Sequence, residues 1–270
     1  LNKHGFTDEH YDRVWSQIAL SSSPNEEQRI EEILSLIPKG TSSILDVGCG
    51  DGRITNRLVS HYSKVVGLDS SQQALQHVKA ERVQANIDSL PFPDRNFDLI
   101  LCTEVLEHIL FEDYPKVLAE IERVAASHII VSVPYKQNLK KGMVSCPQCG
   151  CTFRPDRHVR RFEKKTMVNL FKAFRLQTIK LCQPLIEAYP PVIVGLARYL
   201  GIVSSRPHWL HALTCPQCGY ALATEGDVPP TTKSKTGLRH LLRSSAGWLK
   251  YKKKYSGWFL ALYRRENGHR

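Results

Sequence analysis

The chain has 270 residues, 42% hydrophobic and 23% charged, with 8 cysteines and a formal net charge of +11. These are globular values that exclude wholesale disorder, and the length suits one large α/β domain or one domain with a substantial insertion. The positive excess is compatible with an anionic partner or a membrane surface and specifies neither.

Leu1 to Trp15 is polar and charged, without the apolar core of a signal peptide. Ser23-Pro24 offers an N-cap and a first-turn proline, and Ile30, Ile33, Leu34 and Ile37 recur at helical spacing. From Ser43 short apolar segments alternate with helical patterns, the signature of a mostly parallel sheet with helices on its faces. Strands are expected at Ile44–Val47, Val65–Asp69, Val83–Ala85, Asp98–Cys102 and His128–Val133, with helices starting near Arg53, Ser70 and Asp113. Ser70-Ser71-Gln72-Gln73 reads as a capping box, and Val117, Leu118, Ile121 and Val124 form an apolar stripe suited to packing on the sheet.

The alternation is interrupted after Pro134. Residues 139–161 are basic and cysteine-rich, Lys164–Phe174 reads as a helix, and Leu176–Leu181 as a strand. The longest apolar run, Pro190 to Val203, is broken by Arg198 and is too short to cross a bilayer. A polar loop from Glu225 to Lys235 leads into a basic helical pattern near Leu238–Lys250, and Trp258–Tyr263 closes as a final strand. These features point to a cytoplasmic protein whose cysteines are thiols or metal ligands rather than disulfides.

Ile44 to Gly52 carries the most information. A strand ending in Asp46-Val47 meets Gly48-Cys49-Gly50-Asp51-Gly52, and Arg53, Ile54, Leu58 and Val59 continue in a helical pattern. Glycines in such a turn let backbone N–H groups approach a ligand closely. A dinucleotide fingerprint would place its third glycine three residues after the second, where Arg53 stands. Asp69 closes the second strand 21 residues after Gly48, where an acid can accept from both ribose hydroxyls of a nucleoside; the alternative, a cap for the helix that begins beside Ser70, is the less favoured. Gly-x-Gly-x-Gly after an acidic strand end resembles motif I of the class I S-adenosylmethionine (SAM)-dependent methyltransferases.

Three further segments, in order, extend that resemblance over about residues 42–135. Ala85-Asn86-Ile87-Asp88 is similar to the family's adenine-contacting segment, with Asn86 at the usual aspartate position and Ile87 supplying an N–H and an apolar wall. An asparagine still accepts from an amine through its amide oxygen. Leu90-Pro91-Phe92-Pro93-Asp94 leads into the fourth strand, and Thr103-Glu104-Val105-Leu106-Glu107-His108 follows it, matching the Glu-Val-Leu-Glu-His of many small-molecule members. The resemblance implies a Rossmann-like seven-stranded α/β fold. It implies SAM as methyl donor, held by Asp46, Gly48, Cys49, Gly50, Gly52, Asp69, Ser70, Asn86, Ile87, Thr103 and Glu104. The division expected is a helical cap at 1–40, the SAM-binding core at 41–138, cap insertions at 139–235 enclosing a core helix and strand near 164–182, and a basic helix with the final strand at 236–270.

Cys-Pro-Gln-Cys-Gly occurs twice, at 146–150 and 215–219. Each pair can aim two thiolates at one ion, so Cys146, Cys149, Cys215 and Cys218 are expected to hold a structural Zn²⁺ in a closed tetrahedral shell. Cys151 could replace Cys149. Cys49, Cys102 and Cys182 have no partner signature and read as small core or pocket residues.

Methyl transfer to oxygen benefits from a general base. His108 is one candidate, and it could equally orient Glu104 or cap the next helix. His158 is the second, in a His-x-x-x-Phe segment similar to one that lines the acceptor side in many family members. The favoured acceptor is a small molecule, such as a sugar, glycan precursor or secondary metabolite. An alternative is an RNA 2′-O-methyltransferase, because Glu104-x-x-Glu107-His108 with the later His158 resembles the divalent-metal ligands of small-RNA terminal methyltransferases. The surrounding Asp156-Arg157-His158-Val159-Arg160-Arg161-Phe162-Glu163-Lys164 keeps only part of that family's segment. A third reading is a non-catalytic zinc-binding partner protein, or a membrane-associated one whose basic C-terminal helix could lie on anionic lipid.

Overall fold

In a computed structural model, side chains one residue apart in each central strand enter opposite cores, as a period of two requires. The structure describes residues 24–183, 185–188, 214–220, 222, 251–254 and 257–266. They fall into two compact units. The larger contains 24–141, 156–183 and 257–266; the smaller contains 142–155, 185–188, 214–220, 222 and 251–254.

The larger unit is built on β1 (Ser43–Val47), β2 (Lys64–Asp69), β3 (Glu81–Gln84), β4 (Phe97–Thr103), β5 (Ala125–Pro134), β8 (Phe174–Cys182) and β11 (Trp258–Arg265). Their order across the seven-stranded sheet is β3-β2-β1-β4-β5-β11-β8. The first five are parallel, and β11 runs antiparallel between β5 and β8. The order reverses at β1 and β4, the switch point beside which ligands of open α/β sheets bind.

Ile44, Leu99, Leu101, Ile130 and Leu260 pack on one face with Ile30 and Ile33 of α1 (Pro24–Leu34) and Leu58 of α2 (Thr55–Leu58). Leu45, Val47, Ile100, Cys102 and Val131 pack on the other with Val117, Ile121 and Val124 of α4 (Tyr114–Val124) and Met167 of α5 (Lys164–Val168). The sheet therefore has helices on both faces, an α/β architecture of the Rossmann-like type. The expected stripe on α4 is buried, with Leu118 at its margin.

Local details differ from expectation. α2 begins at Thr55 rather than near Arg53, because the glycine turn extends through Ile54. The cap of α3 (Gln72–Leu75) is Ser71, whose hydroxyl accepts from the Ala74 N–H at 3.2 Å; Ser70 lies one residue before it. Helix α5 stops at Val168. Met167, Leu170, Phe171 and Phe174 are buried, and Phe174, the end of the expected helix, already belongs to β8.

In the smaller unit β6 (Val144–Ser145) pairs with β7 (Thr152–Phe153), and β9 (Leu185–Ala188) pairs with β10 (Tyr251–Lys254), both antiparallel. The β9–β10 ribbon had no signal in the apolar 185–213 segment. Residues 1–23, the 190–203 run and the basic pattern at 238–250 lie outside the described residues. Among the described residues no helix is long and apolar enough to cross a membrane.

Candidate functional site

The glycine turn sits at the carboxyl ends of β1 and β2. Gly48 and Cys49 both donate their N–H to the Leu68 carbonyl, at 2.7 and 3.0 Å, which folds the turn over the end of β2. Gly48 has φ +69°, and a Cβ there would stand 2.5 Å from Cγ2 of Val105, in the segment after β4. Gly50, at φ +55°, donates its N–H to Asp69 Oδ2 at 2.9 Å. The other oxygen of Asp69 accepts from the Ser71 N–H at 2.9 Å. One carboxylate thus braces both the glycine turn and the loop before α3, while the helix cap itself is Ser71.

Asp46 is 1% exposed and accepts from the Thr55 hydroxyl at 2.6 Å through Oδ2. Its Oδ1 is buried without a hydrogen-bond partner. Burial pushes its carboxyl up to about 7, opposed by the Thr55 hydrogen bond and reinforced by the charge of Asp69, with Arg29 pulling the other way. Cys49 is also pushed up by burial and by the charges of Asp46 and Asp69, which keeps it a thiol.

The sign of the Asp46 shift gives a test. A carboxyl raised in the fold holds its proton more tightly folded than unfolded, so the stability it confers is present at acid pH and is lost as pH rises through about 7. Asp46→Asn has no proton to lose. Between about pH 5 and pH 8, the wild-type, zinc-loaded protein should lose about 2–3 kcal/mol relative to Asp46→Asn, read from urea unfolding. A pH-independent difference between the two would refute the shift.

Gly52 has φ +78° and donates to Cys49 O at 3.1 Å. Ser70 accepts from the Gln84 side chain through its carbonyl. Asn86 is exposed just beyond β3, and Ile87 is half-buried against the core. Thr103 ends β4 opposite Ser132 of β5.

Glu104 has φ +58°, a backbone region that bulky residues rarely adopt without a supporting structure. Its N–H donates to Ser132 O at 2.8 Å. Its carboxylate accepts from the Ser132 hydroxyl at 2.9 Å and the Trp258 indole N–H at 2.7 Å, and Arg29 lies 3.8 Å away. Arg29 in turn stacks over the Trp258 ring. Burial raises the Glu104 carboxyl, and Arg29 and both hydrogen bonds oppose the rise. Trp258 and Arg29 were not foreseen at the site; they lie 154 and 75 residues from Glu104 in sequence, which leaves no local signal.

The same loop carries Glu107 and His108. Glu107 is fully buried and neither of its carboxylate oxygens has a hydrogen-bond partner. Its carboxyl is driven well up by burial and by the charge of Glu104. Its carbonyl accepts from the Val159 N–H at 2.8 Å, which docks the 156–162 segment on the loop. The rings of His108 and His158 meet edge to face, with centroids 4.6 Å apart. His158 Nδ1 is hydrogen-bonded to Gln137 Oε1, and the Gln137 amide donates to Asp156 Oδ2. Since Gln137 Oε1 can only accept, Nδ1 is the donor in that bond. Both candidate bases thus come together.

In the smaller unit each knuckle is built alike. Gly150 N–H donates to Cys146 O and Gly219 N–H to Cys215 O, both at 2.9 Å, with φ of +73° and +72°. Sγ of Cys146 lies 3.7 Å from that of Cys218, and Sγ of Cys149 lies 3.5 Å from that of Cys215. The four sulfurs lie within 4.8 Å of one another, and Cys151 is not among them. Thiolates about 2.3 Å from a tetrahedral zinc ion stand about 3.8 Å apart, so the spacing fits that ion.

Residues 45–130 match the family model described as a methyltransferase domain. An uncharacterized protein of Methanocaldococcus jannaschii is 39% identical over 119 residues, covering 41% of this chain and 51% of that protein. A "probable S-adenosylmethionine-dependent methyltransferase" of Mycobacterium tuberculosis is 28% identical over 159 residues, covering 57% and 50%. The chain thus spans about half the length of the curated relatives it matches. Among solved structures, the N-methyltransferase NodS from Bradyrhizobium japonicum aligns with a TM-score of 0.52 at 13% identity, over 92% of this chain and 100% of that one, which establishes likeness of fold.

Proposed function

We propose that the chain transfers the methyl group of SAM to a small-molecule acceptor, a sugar, glycan precursor or secondary metabolite, at oxygen or nitrogen. The observation that carries this reading is the glycine turn braced by Asp69 at the switch point of the sheet. The residues fit the cofactor. Gly48 and Gly50 present backbone without a Cβ, Asp46 holds an oxygen with no partner, and Asn86 and Ile87 flank the end of β3.

When bound, SAM supplies a methyl group already activated on a sulfonium. Asp69 receives the ribose hydroxyls, Asp46 offers charge to the methionine end, and Asn86 accepts from the adenine amine. Thr103 and Glu104 shape the far wall. His108 and His158 face the acceptor side, where a basic nitrogen assists an oxygen nucleophile. The protein's main task is alignment and removal of water.

In the same reading a Zn²⁺ ion fills the four-cysteine shell. Four thiolates leave no open coordination position, so that metal is structural. Such a shell needs reduced cysteines, which suits the cytoplasm.

Calorimetry on zinc-loaded protein should show about one SAM, or one demethylated product, bound per chain at micromolar concentration. No heat and no saturable binding would reject the reading. An RNA acceptor is the second reading, supported by the basic residues Lys140, Lys141, Arg154, Arg157, Arg160 and Arg161. Salt-sensitive RNA binding would promote it.

A further inference from the structure

We propose that Glu107, His108 and His158 bind a divalent transition-metal ion, distinct from the ion of the four cysteines. The three side chains each place a ligand atom within 4.8 Å of the others. Glu107 is 0% exposed, and neither carboxylate oxygen meets a donor from the protein. A buried carboxylate in that condition is costly unless a cation or a proton satisfies it. Two imidazoles beside it are the donors that, with one carboxylate, make a three-ligand metal site.

The surroundings have the form expected around such a site. A metal-bound histidine commonly donates its second ring N–H to an oxygen acceptor, which fixes tautomer and orientation. His158 does so through Nδ1–H to Gln137 Oε1, and Asp156 holds Gln137 in turn. The site spans two segments joined by the Val159 N–H to Glu107 carbonyl hydrogen bond. Each segment has a left-handed non-glycine residue, Glu104 at φ +58° and Arg157 at φ +58°. Such residues persist where the surrounding structure holds them, and they concentrate at functional sites. Glu104 is outside the set, since its carboxylate is directed to Ser132 and Trp258.

Two nitrogens and one oxygen favour Mn²⁺, Fe²⁺, Co²⁺ or Zn²⁺ over Mg²⁺ and Ca²⁺, which prefer oxygen shells. Three protein donors leave positions for water or an acceptor oxygen. With the cation bound the two imidazoles act as ligands, and the cation's charge replaces a free base in making an acceptor hydroxyl acidic. That last step rests on the methyltransferase reading; the binding of the ion does not.

The test uses full-length protein whose cysteine site is filled with zinc. Titrated with Mn²⁺, it should bind about one ion per chain, followed by electron paramagnetic resonance, and the bound ion should enhance water-proton relaxation. Glu107→Gln and His158→Ala should each abolish saturable binding, and Gln137→Ala should weaken it about 10–100-fold. Circular dichroism and retained SAM binding report that each variant is folded. No saturable Mn²⁺ or Co²⁺ binding by the wild type would overturn the proposal, as would binding unchanged in folded Glu107→Gln and His158→Ala. Mn²⁺ binding without SAM binding would leave this site standing and remove the proposed function; the converse would do the opposite.

Discussion

Replacing Cys146 or Cys215 with Ser should empty the zinc shell and unfold the knuckles while the seven-stranded sheet stays folded. The expectation rests on how little else the described knuckle region contains. Its core consists of Cys146, Phe153 and Cys215 with Val144, Cys151 and Leu222 at the margin, and β6 and β7 have two residues each. So small an apolar cluster cannot offset the conformational entropy of ordering two loops. A closed four-thiolate shell contributes on the order of 10 kcal/mol of apparent folding free energy, enough to decide the outcome. The sheet draws its stability from two larger cores, on the α1 and α4 faces. Amide exchange should therefore accelerate by orders of magnitude at 144–153 and 215–220 and stay slow in β1, β4 and β5. Metal analysis should fall from about one zinc per chain to none. A protein that purifies under reducing conditions without zinc, and takes up none, would end the zinc assignment.

The fold was legible because its strands alternate or run apolar over short stretches and its helices repeat every three to four residues. Ile44 and Leu45 go to opposite cores, and Val117, Ile121 and Val124 to one. Those signals are local. Where they failed, a neighbouring element changed the answer. The helix expected over Lys164–Phe174 stops at Val168, and Phe174 pairs with Arg265 of β11 instead. β9 was invisible because its partner, β10, lies more than 60 residues on.

At the site, glycines and the strand-ending Asp46 and Asp69 were legible because turn geometry demands those residue types at those places. The identical knuckles were legible as a pair, and the structure brings Cys149 rather than Cys151 to the cluster. The burial of Glu107 was not legible. A glutamate in sequence reads as a solvated charge, and only the docking of Val159 and His158 over it reveals otherwise. Gln137 and Asp156 were missed for the same reason, since their importance lies in what they orient.

Asp69→Ala should have the largest effect on cofactor binding. Oδ1 and Oδ2 each accept one backbone N–H, from Ser71 and Gly50. Truncation removes both braces, and each donor then loses a charged acceptor. A hydrogen bond to a charged group contributes about 1.5–3 kcal/mol, though the partly exposed setting here reduces that. A stability loss of about 1–3 kcal/mol is expected, read as a lower urea midpoint. Affinity for SAM should fall further. In the proposed reading the variant loses the acceptors for two ribose hydroxyls as well as the restraint on the glycine turn. Together these correspond to a decrease of at least about 100-fold by calorimetry. Asp69→Asn separates the two contributions. One amide oxygen can still accept from Gly50 or Ser71, so most of the stability should return while ribose recognition stays impaired. If instead Asp69→Asn binds SAM as the wild type does, the carboxylate serves the loops alone, and the ribose must be held by another residue.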